Sequence, residues 1–214
     1  MAVFTAQSVQ KFVQTQQGKR VIYLAAGDHL TPSARDWIQN ENVEVRIKPS
    51  EKPEHMTHLR GSELVPKTHP TIDFRGMLDL LQAELLLTAE QMTGWVRQQL
   101  EEILNVLRQI MRCQVLEESW KEHEICGMTV EELRLRSHHP EEYFGQGHFL
   151  PSASDGPVLL RLNRLRTLVR RTELAACRGI PERIDLIQVL NRLSSLLWIM
   201  MIRIKKESTH GTES

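Results

Sequence analysis

The chain has 214 residues, enough for one substantial hydrophobic core but not for two full domains. Its 27 basic and 27 acidic residues cancel, which excludes a global field able to hold nucleic acid or an anionic membrane, so any anion must be held locally. The three separated cysteines, Cys113, Cys126 and Cys177, are odd in number and are expected to be reduced core filler in a cytoplasmic protein, not a disulfide framework.

The amino terminus has neither the basic start nor the unbroken apolar run of a secretory signal, and no export is expected. Val21 to Ala25 is a short apolar run, Thr31 with Pro32 makes a helix start, and Val43 to Ile47 alternates apolar and charged residues. Together they predict a strand, a helix and a strand. The proline-bearing stretch Lys48 to Pro53 predicts a linker. The expected organisation is a small α/β extension over 1–52, a helical domain over 53–206 and a disordered tail over 207–214.

Leu78, Leu81 and Leu85 recur at helical spacing between Phe74 and about Thr88, and Val96, Leu100, Ile103, Leu107 and Ile110 repeat the pattern, so two bundle helices follow. Thr129 and Glu132 have the spacing of a capping box, which predicts a short helix stopped by Ser137-His138-His139-Pro140. A long loop from Gly145 to Gly156 leads to two strongly periodic helices, about Val158 to Cys177 and Glu182 to Lys205, joined by a turn at Gly179-Ile180-Pro181. The last of these is the most apolar segment, yet Gln188, Asn191, Arg192 and Arg203 make it too polar to face lipid, so it is expected inside protein. The architecture is mainly α: four main helices with one or more accessory helices.

Two polar stripes interrupt this apolar pattern. Asn163, Arg166, Arg170 and Glu173 share one helix face, because steps of three and four return to the same side, and Arg171 stands beside them. Taken alone, the stripe is an ordinary solvated face with an Arg170 to Glu173 pair. In the next helix, however, Asn191 and Arg192 interrupt Leu190, Leu193, Leu196, Leu197, Trp198 and Met200, and a buried unpaired arginine costs several kcal/mol. Because adjacent antiparallel helices bring the two stripes together, these groups can converge on a polyanion such as a triphosphate. Trp198, Met200 and Met201, at helical spacing, are expected to be core.

Leu165 to Glu173 and Val189 to Ser194 resemble the paired carboxy-terminal motifs of the propanediol-utilisation (PduO) type of ATP:cob(I)alamin adenosyltransferases, and Val65 to Asp79 resembles their lysine-bearing segment. Within that superfamily the chain is most similar to the ethanolamine-utilisation branch (EutT), through Leu30 to Arg35, Leu135 to Pro140 and Leu193 to Ser195. The resemblance runs from about Gly27 to Ile204 and implies a ferritin-like bundle of four or five helices, assembled as a homotrimer or other homo-oligomer with sites between subunits. It further implies that Lys67, Arg166, Arg170, Arg171, Glu173 and Asn191 hold ATP with Mg2+, and that Asp79 pairs with Arg170 across the interface. Cobalamin is the second substrate, and ethanolamine ammonia-lyase or its reactivase is the implied partner. The implied setting is the cytoplasm, with a bacterial microcompartment as a candidate site. The alternatives are a non-catalytic adenosylcobalamin carrier and a microcompartment scaffold.

The chemistry asks for these residue types. When cobalt(I) attacks C5′ of ATP, negative charge accumulates on the departing triphosphate, where fixed cations and a divalent metal are most useful. The family also removes the lower axial ligand of cobalt with an apolar wedge, a phenylalanine three residues before a proline. Here that register falls on His148, with Phe149 adjacent, in Gly147-His148-Phe149-Leu150-Pro151, which leaves both open as the wedge. Two departures stand out. The family's glycine-rich Thr-Gly-Asp-x-Gly loop is replaced by Thr57 to Ser62, and the histidine and cysteine cluster of many ethanolamine-branch members has no cysteine counterpart between Lys48 and Lys67. His55, His58, His69, His138 and His139 are therefore expected to be surface or capping residues, with no protein-held metal.

Overall fold

A computed structural model describes residues 2–16, 18–47 and 53–210, except for the side chains of 209 and 210. It divides into two compact units, Met1–Glu54 and His55–Ser214.

The first unit runs β1 (Val3–Phe4), α1 (Ala6–Phe12), β2 (Gln14–Gln16), β3 (Lys19–Leu24), β4 (His29–Leu30), α2 (Pro32–Asn40) and β5 (Glu44–Ile47). β3 and β5 pair in parallel through the α2 crossover, as the apolar runs predict, and β2 adds antiparallel to the outer side of β3. Thr31 caps α2 by accepting from the Ala34 amide at 3.3 Å, and Pro32 occupies the first turn, where its missing N–H costs nothing. Val9, Ile22, Leu24, Ala34, Ile38 and Val43 form the core. Sequence reading missed α1, β1, β2 and β4. The expected linker over 48–53 lies, apart from Pro53, outside the described residues.

The second unit opens with a hairpin, β6 (Met56–Arg60) and β7 (Glu63–Pro66), at the stretch Thr57 to Ser62 that stands in place of the family's glycine-rich loop. α3 (Pro70–Glu90), α4 (Gly94–Leu116), α5 (Val130–His138), α6 (Pro140–Phe144), α7 (Gly156–Gly179) and α8 (Ile184–His210) follow. α7 packs on α3 and α8, α4 packs on α3, and α5 and α6 cover α8. The periodic leucines are the reason. Leu78, Leu81 and Leu85 of α3, Leu100, Ile103 and Leu107 of α4, Leu159, Leu162 and Val169 of α7, and Leu186, Leu190 and Leu193 of α8 are all buried in one core.

The ends of α3 and α7 meet closely. Thr71 Oγ1 donates to the Gly179 carbonyl at 2.7 Å, and a Cβ on Gly179 would stand 2.6 Å from the Pro70 carbonyl oxygen. Only glycine fits there without a shift of backbone. The capping box of α5 is present, with Thr129 Oγ1 accepting from the Glu132 amide at 3.2 Å and Glu132 accepting from the Thr129 amide at 2.9 Å.

Three readings need correction. Pro140 does not only stop a helix: α5 ends at His138 and Pro140 begins α6. α8 continues through His210, so 207–210 are helical where a tail was expected, and 211–214 lie outside the described residues. Cys113 is buried as expected, but Cys177 is exposed. α8 is long and apolar enough to cross a membrane, with a mean hydropathy of 1.3 over an 18-residue stretch within Ile184–Ser208. It nevertheless buries Leu190, Leu193, Leu197, Met200 and Met201 within the bundle.

Candidate functional site

The polar faces of α7 and α8 meet at an open cavity of about 550 Å3, which the end of α5 and the loop before α7 also line. α7 contributes Arg166, Arg170, Glu173 and Leu174, and α8 contributes Asn191, Ser194, Ser195 and Trp198. Both sets follow from helical spacing, since the apolar stripe of each helix is turned into the core. Ser137 and His138 come from α5, and His148, Phe149, Leu150 and Pro151 from the loop.

One wall is suited to an anion. Arg166 and Arg170 both face the cavity, while Glu173 is the single acidic side chain in its lining. Burial pulls the Arg166 guanidinium below its ordinary pKa, and the like charge of Arg170 pulls in the same direction. An arginine remains charged regardless, so the site carries concentrated positive charge that an anion would relieve. Arg166 is braced by Asn163, whose Oδ1 accepts from its Nε and Nη2 at 3.2 and 3.0 Å. Glu173 does not bond to Arg170, as a simple helical pair would. It accepts from Asn191 Nδ2 at 2.9 Å, which ties α7 to α8.

The opposite end is aromatic. Phe149 stacks on Trp198 with ring centroids 5.0 Å apart, His148 stacks on the same indole at 5.8 Å, and the Arg166 guanidinium lies 5.5 Å from it. Phe149 is half-buried against the core, whereas Leu150 is exposed.

Of the candidates from sequence, Arg166, Arg170, Glu173, Asn191, His148 and Phe149 are therefore brought together. Lys67 in the turn after β7, Asp79 on α3 and Arg171 on α7 are exposed and line no part of this cavity. Arg192 also lies outside the lining. Its Nε is buried without a hydrogen-bond partner, and burial, followed by the charge of Arg134 on α5, pulls its pKa down. The expectation that Trp198 is core packing is corrected: it is half-buried and forms a wall of the site, while Met200 and Met201 are fully buried. A signal for it was present, because Asn191, Ser194, Ser195 and Trp198 recur at steps of three and four.

The histidines singled out by sequence do local work where the contacts are defined. His69 caps α3 by accepting from the Thr71 amide at 3.2 Å, and His139 joins α5 to α6. Among the described residues no group of three or more histidine, cysteine, aspartate or glutamate side chains is arranged to hold a metal ion.

Residues 47–204 match the model of the family described as cobalamin adenosyltransferase. A protein of Escherichia coli named corrinoid adenosyltransferase EutT is 31% identical over 232 residues, covering 85% of this chain and 84% of that one. The protein of the same name from Salmonella typhimurium is 37% identical over 164 residues, covering 71% of this chain and 59% of its own length. Among solved structures, a variant PduO-type ATP:corrinoid adenosyltransferase from Lactobacillus reuteri, complexed with cobalamin and ATP, superimposes with a TM-score of 0.58 at 18% identity, over 73% of this chain and 91% of that one.

Proposed function

The chain belongs to the cobalamin adenosyltransferase family and is a corrinoid adenosyltransferase, and from that premise we propose that it transfers the adenosyl group of ATP to the cobalt of cob(I)alamin in the α7–α8 cavity and releases triphosphate. The observation that carries this reading is the meeting, in one cavity, of a wall with two arginines and an end with stacked aromatics.

The reaction needs both. The electron pair of cobalt(I) forms the bond to C5′, the C5′–O bond breaks, and its electron pair leaves with triphosphate. Arg166 and Arg170 supply fixed positive charge where the leaving oxygen becomes negative, and they require no reorganisation at that moment. Glu173 holds the Asn191 amide in place, so that the amide orients the nucleotide instead of turning freely. Glu173 is the single acidic residue of the lining, so Mg2+ would be held mainly by the phosphates of ATP and would supply Lewis-acid stabilisation to the leaving group. Phe149, half-buried and stacked on Trp198, is the apolar group we assign to the lower face of the corrin.

We assign Lys67, Arg171 and Asp79 to the same site through a homotrimer, in which Asp79 of one subunit pairs with Arg170 of the next. The exposure of all four residues in the single chain supports that assignment. The likeness to the ethanolamine-utilisation branch supports a role in the cytoplasm, or in a bacterial microcompartment, supplying adenosylcobalamin to ethanolamine ammonia-lyase. The test is the absorbance change of cob(I)alamin on addition of ATP, with triphosphate quantified. Adenosylcobalamin and triphosphate in equal amounts are expected. A carrier would bind the product without consuming ATP, a scaffold would need neither ligand, and either outcome overturns the reading.

A further inference from the structure

We propose that Trp198 and His148 form a latch that fixes the loop bearing Phe149 on α8, which makes both of them positioning residues for the corrinoid end of the site. The proposal rests on the assignment of Phe149 to the lower face of the corrin.

An indole N–H can only donate. Trp198 Nε1 lies 3.2 Å from His148 Nδ1, so Nδ1 must offer its lone pair. The neutral ring then carries its proton on Nε2, which lies 3.3 Å from the carbonyl oxygen of His138 and donates to it. Both nitrogens of His148 are committed, and neither is left to coordinate cobalt. His148 bridges the end of α5 to α8, and its committed polarity removes it as an apolar wedge. The register that places His148 three residues before Pro151 therefore marks the latch, and the adjacent Phe149 is the apolar group it presents.

The rest of the loop is held in the same manner. Asp155, whose side chain is 1% exposed, accepts from Lys205 Nζ at 2.5 Å and from the Ser152 amide at 2.6 Å. Lys205 lies seven residues, about two helical turns, beyond Trp198, so both anchors stand on one face of α8. Phe149 is seated between them, 5.0 Å from the indole and 5.8 Å from Lys205 Nζ. A further contact of Trp198, the Arg166 guanidinium at 5.5 Å, belongs to the arginine-bearing wall. Trp198 therefore connects the two halves of the site through one rigid ring.

The experiment compares Trp198→Phe, which removes the N–H and keeps an aromatic face, with His148→Ala, His148→Gln and Phe149→Ala in the full-length protein. Activity is measured from cob(II)alamin with a weak reductant and from chemically prepared cob(I)alamin, and the ratio of the two is the readout. Loss of the latch lowers this ratio by about tenfold in Trp198→Phe and His148→Ala, the effect of one hydrogen bond. His148→Gln restores it in large part, because its amide oxygen can accept from the indole, and Phe149→Ala sets the lower limit. The four-coordinate signal of cob(II)alamin bound with ATP falls in the same order. The indole resonance of Trp198, identified by its absence in Trp198→Phe, exchanges slowly in the wild type and in His148→Gln but rapidly in His148→Ala. A wild-type ratio in Trp198→Phe, or a glutamine no better than alanine, overturns the proposal. If the wild type forms no adenosylcobalamin, the reading of the site falls, and indole exchange decides the latch by itself.

Discussion

Asn191 Nδ2 donates to Glu173 Oε1 at 2.9 Å and joins α8 to α7 across the arginine-bearing wall of the cavity. Asn191→Ala removes both the amide and the group that orients it. The fold should survive, because the residue is only half-buried, while kcat/KM for ATP should fall by the equivalent of about 2–4 kcal/mol. Asn191→Asp should be worse than alanine, since it sets a second carboxylate against Glu173. Steady-state kinetics of the two variants checks the order, and a milder aspartate would refute the pairing.

Burial disfavours the charge of Arg166 in the protein without ligand, and repulsion from Arg170 adds to that cost. Triphosphate at about 100 times its Kd should stabilise the wild type by ~2.7 kcal/mol, which for a chain of this size raises Tm by about 5–10 °C. Arg170→Ala should keep the Tm of the ligand-free protein or raise it slightly, and lose most of the triphosphate shift. Scanning calorimetry with and without triphosphate reads both. An undiminished shift would place the anion elsewhere.

The Asp155 carboxyl titrates below its ordinary value, first because Lys205 donates to it and then because the Ser152 amide does. A carboxyl with a lowered pKa in the folded state contributes stability above its unfolded pKa, about 3.9. That contribution is lost as pH falls through the lower folded value. Asp155→Asn should therefore be less stable than the wild type at pH 7, and the gap should close as pH falls from about 5 towards 2. Urea midpoints across this range provide the check, and a gap independent of pH would show that packing, not charge, matters there.

Gly179→Ala should destabilise the second unit by about 1–3 kcal/mol, because the added methyl meets the backbone of Pro70 and Thr71 at 2.6–3.0 Å. Denaturant unfolding measures it. An unchanged midpoint would mean that the ends of α3 and α7 separate more readily than their contact implies.

What was legible in the sequence follows from which physical signals are local. The four long helices were readable because each buries one stripe, and the stripe of Leu78, Leu81 and Leu85 is a pattern at a single spacing. The α5 cap was readable to the atom, since Thr129 and Glu132 are three residues apart. The β6–β7 hairpin was not, because of its nine strand residues only Val65 is buried and no alternation marks it. α6 was hidden by Pro140, a residue that ends one helix and starts another with equal ease. Arg166, Arg170, Glu173 and Asn191 stand out in the sequence as polar positions at helical spacing, and they line one cavity. The partner of Glu173 was not readable, since the local choice was Arg170 and the observed one lies on the next helix. The contact of His148 with Trp198 spans 50 residues and is invisible to any local rule.

The most direct test is a single turnover of ATP with chemically prepared cob(I)alamin, run in parallel on the wild type and on Arg170→Ala. The wild type should yield adenosylcobalamin and triphosphate in equal amounts, and the variant should be slower by about 10²-fold or more, the loss expected when one charge-assisted contact to the leaving group is removed. Equal rates in the two proteins, or product formed without triphosphate, would contradict adenosyl transfer at the α7–α8 cavity.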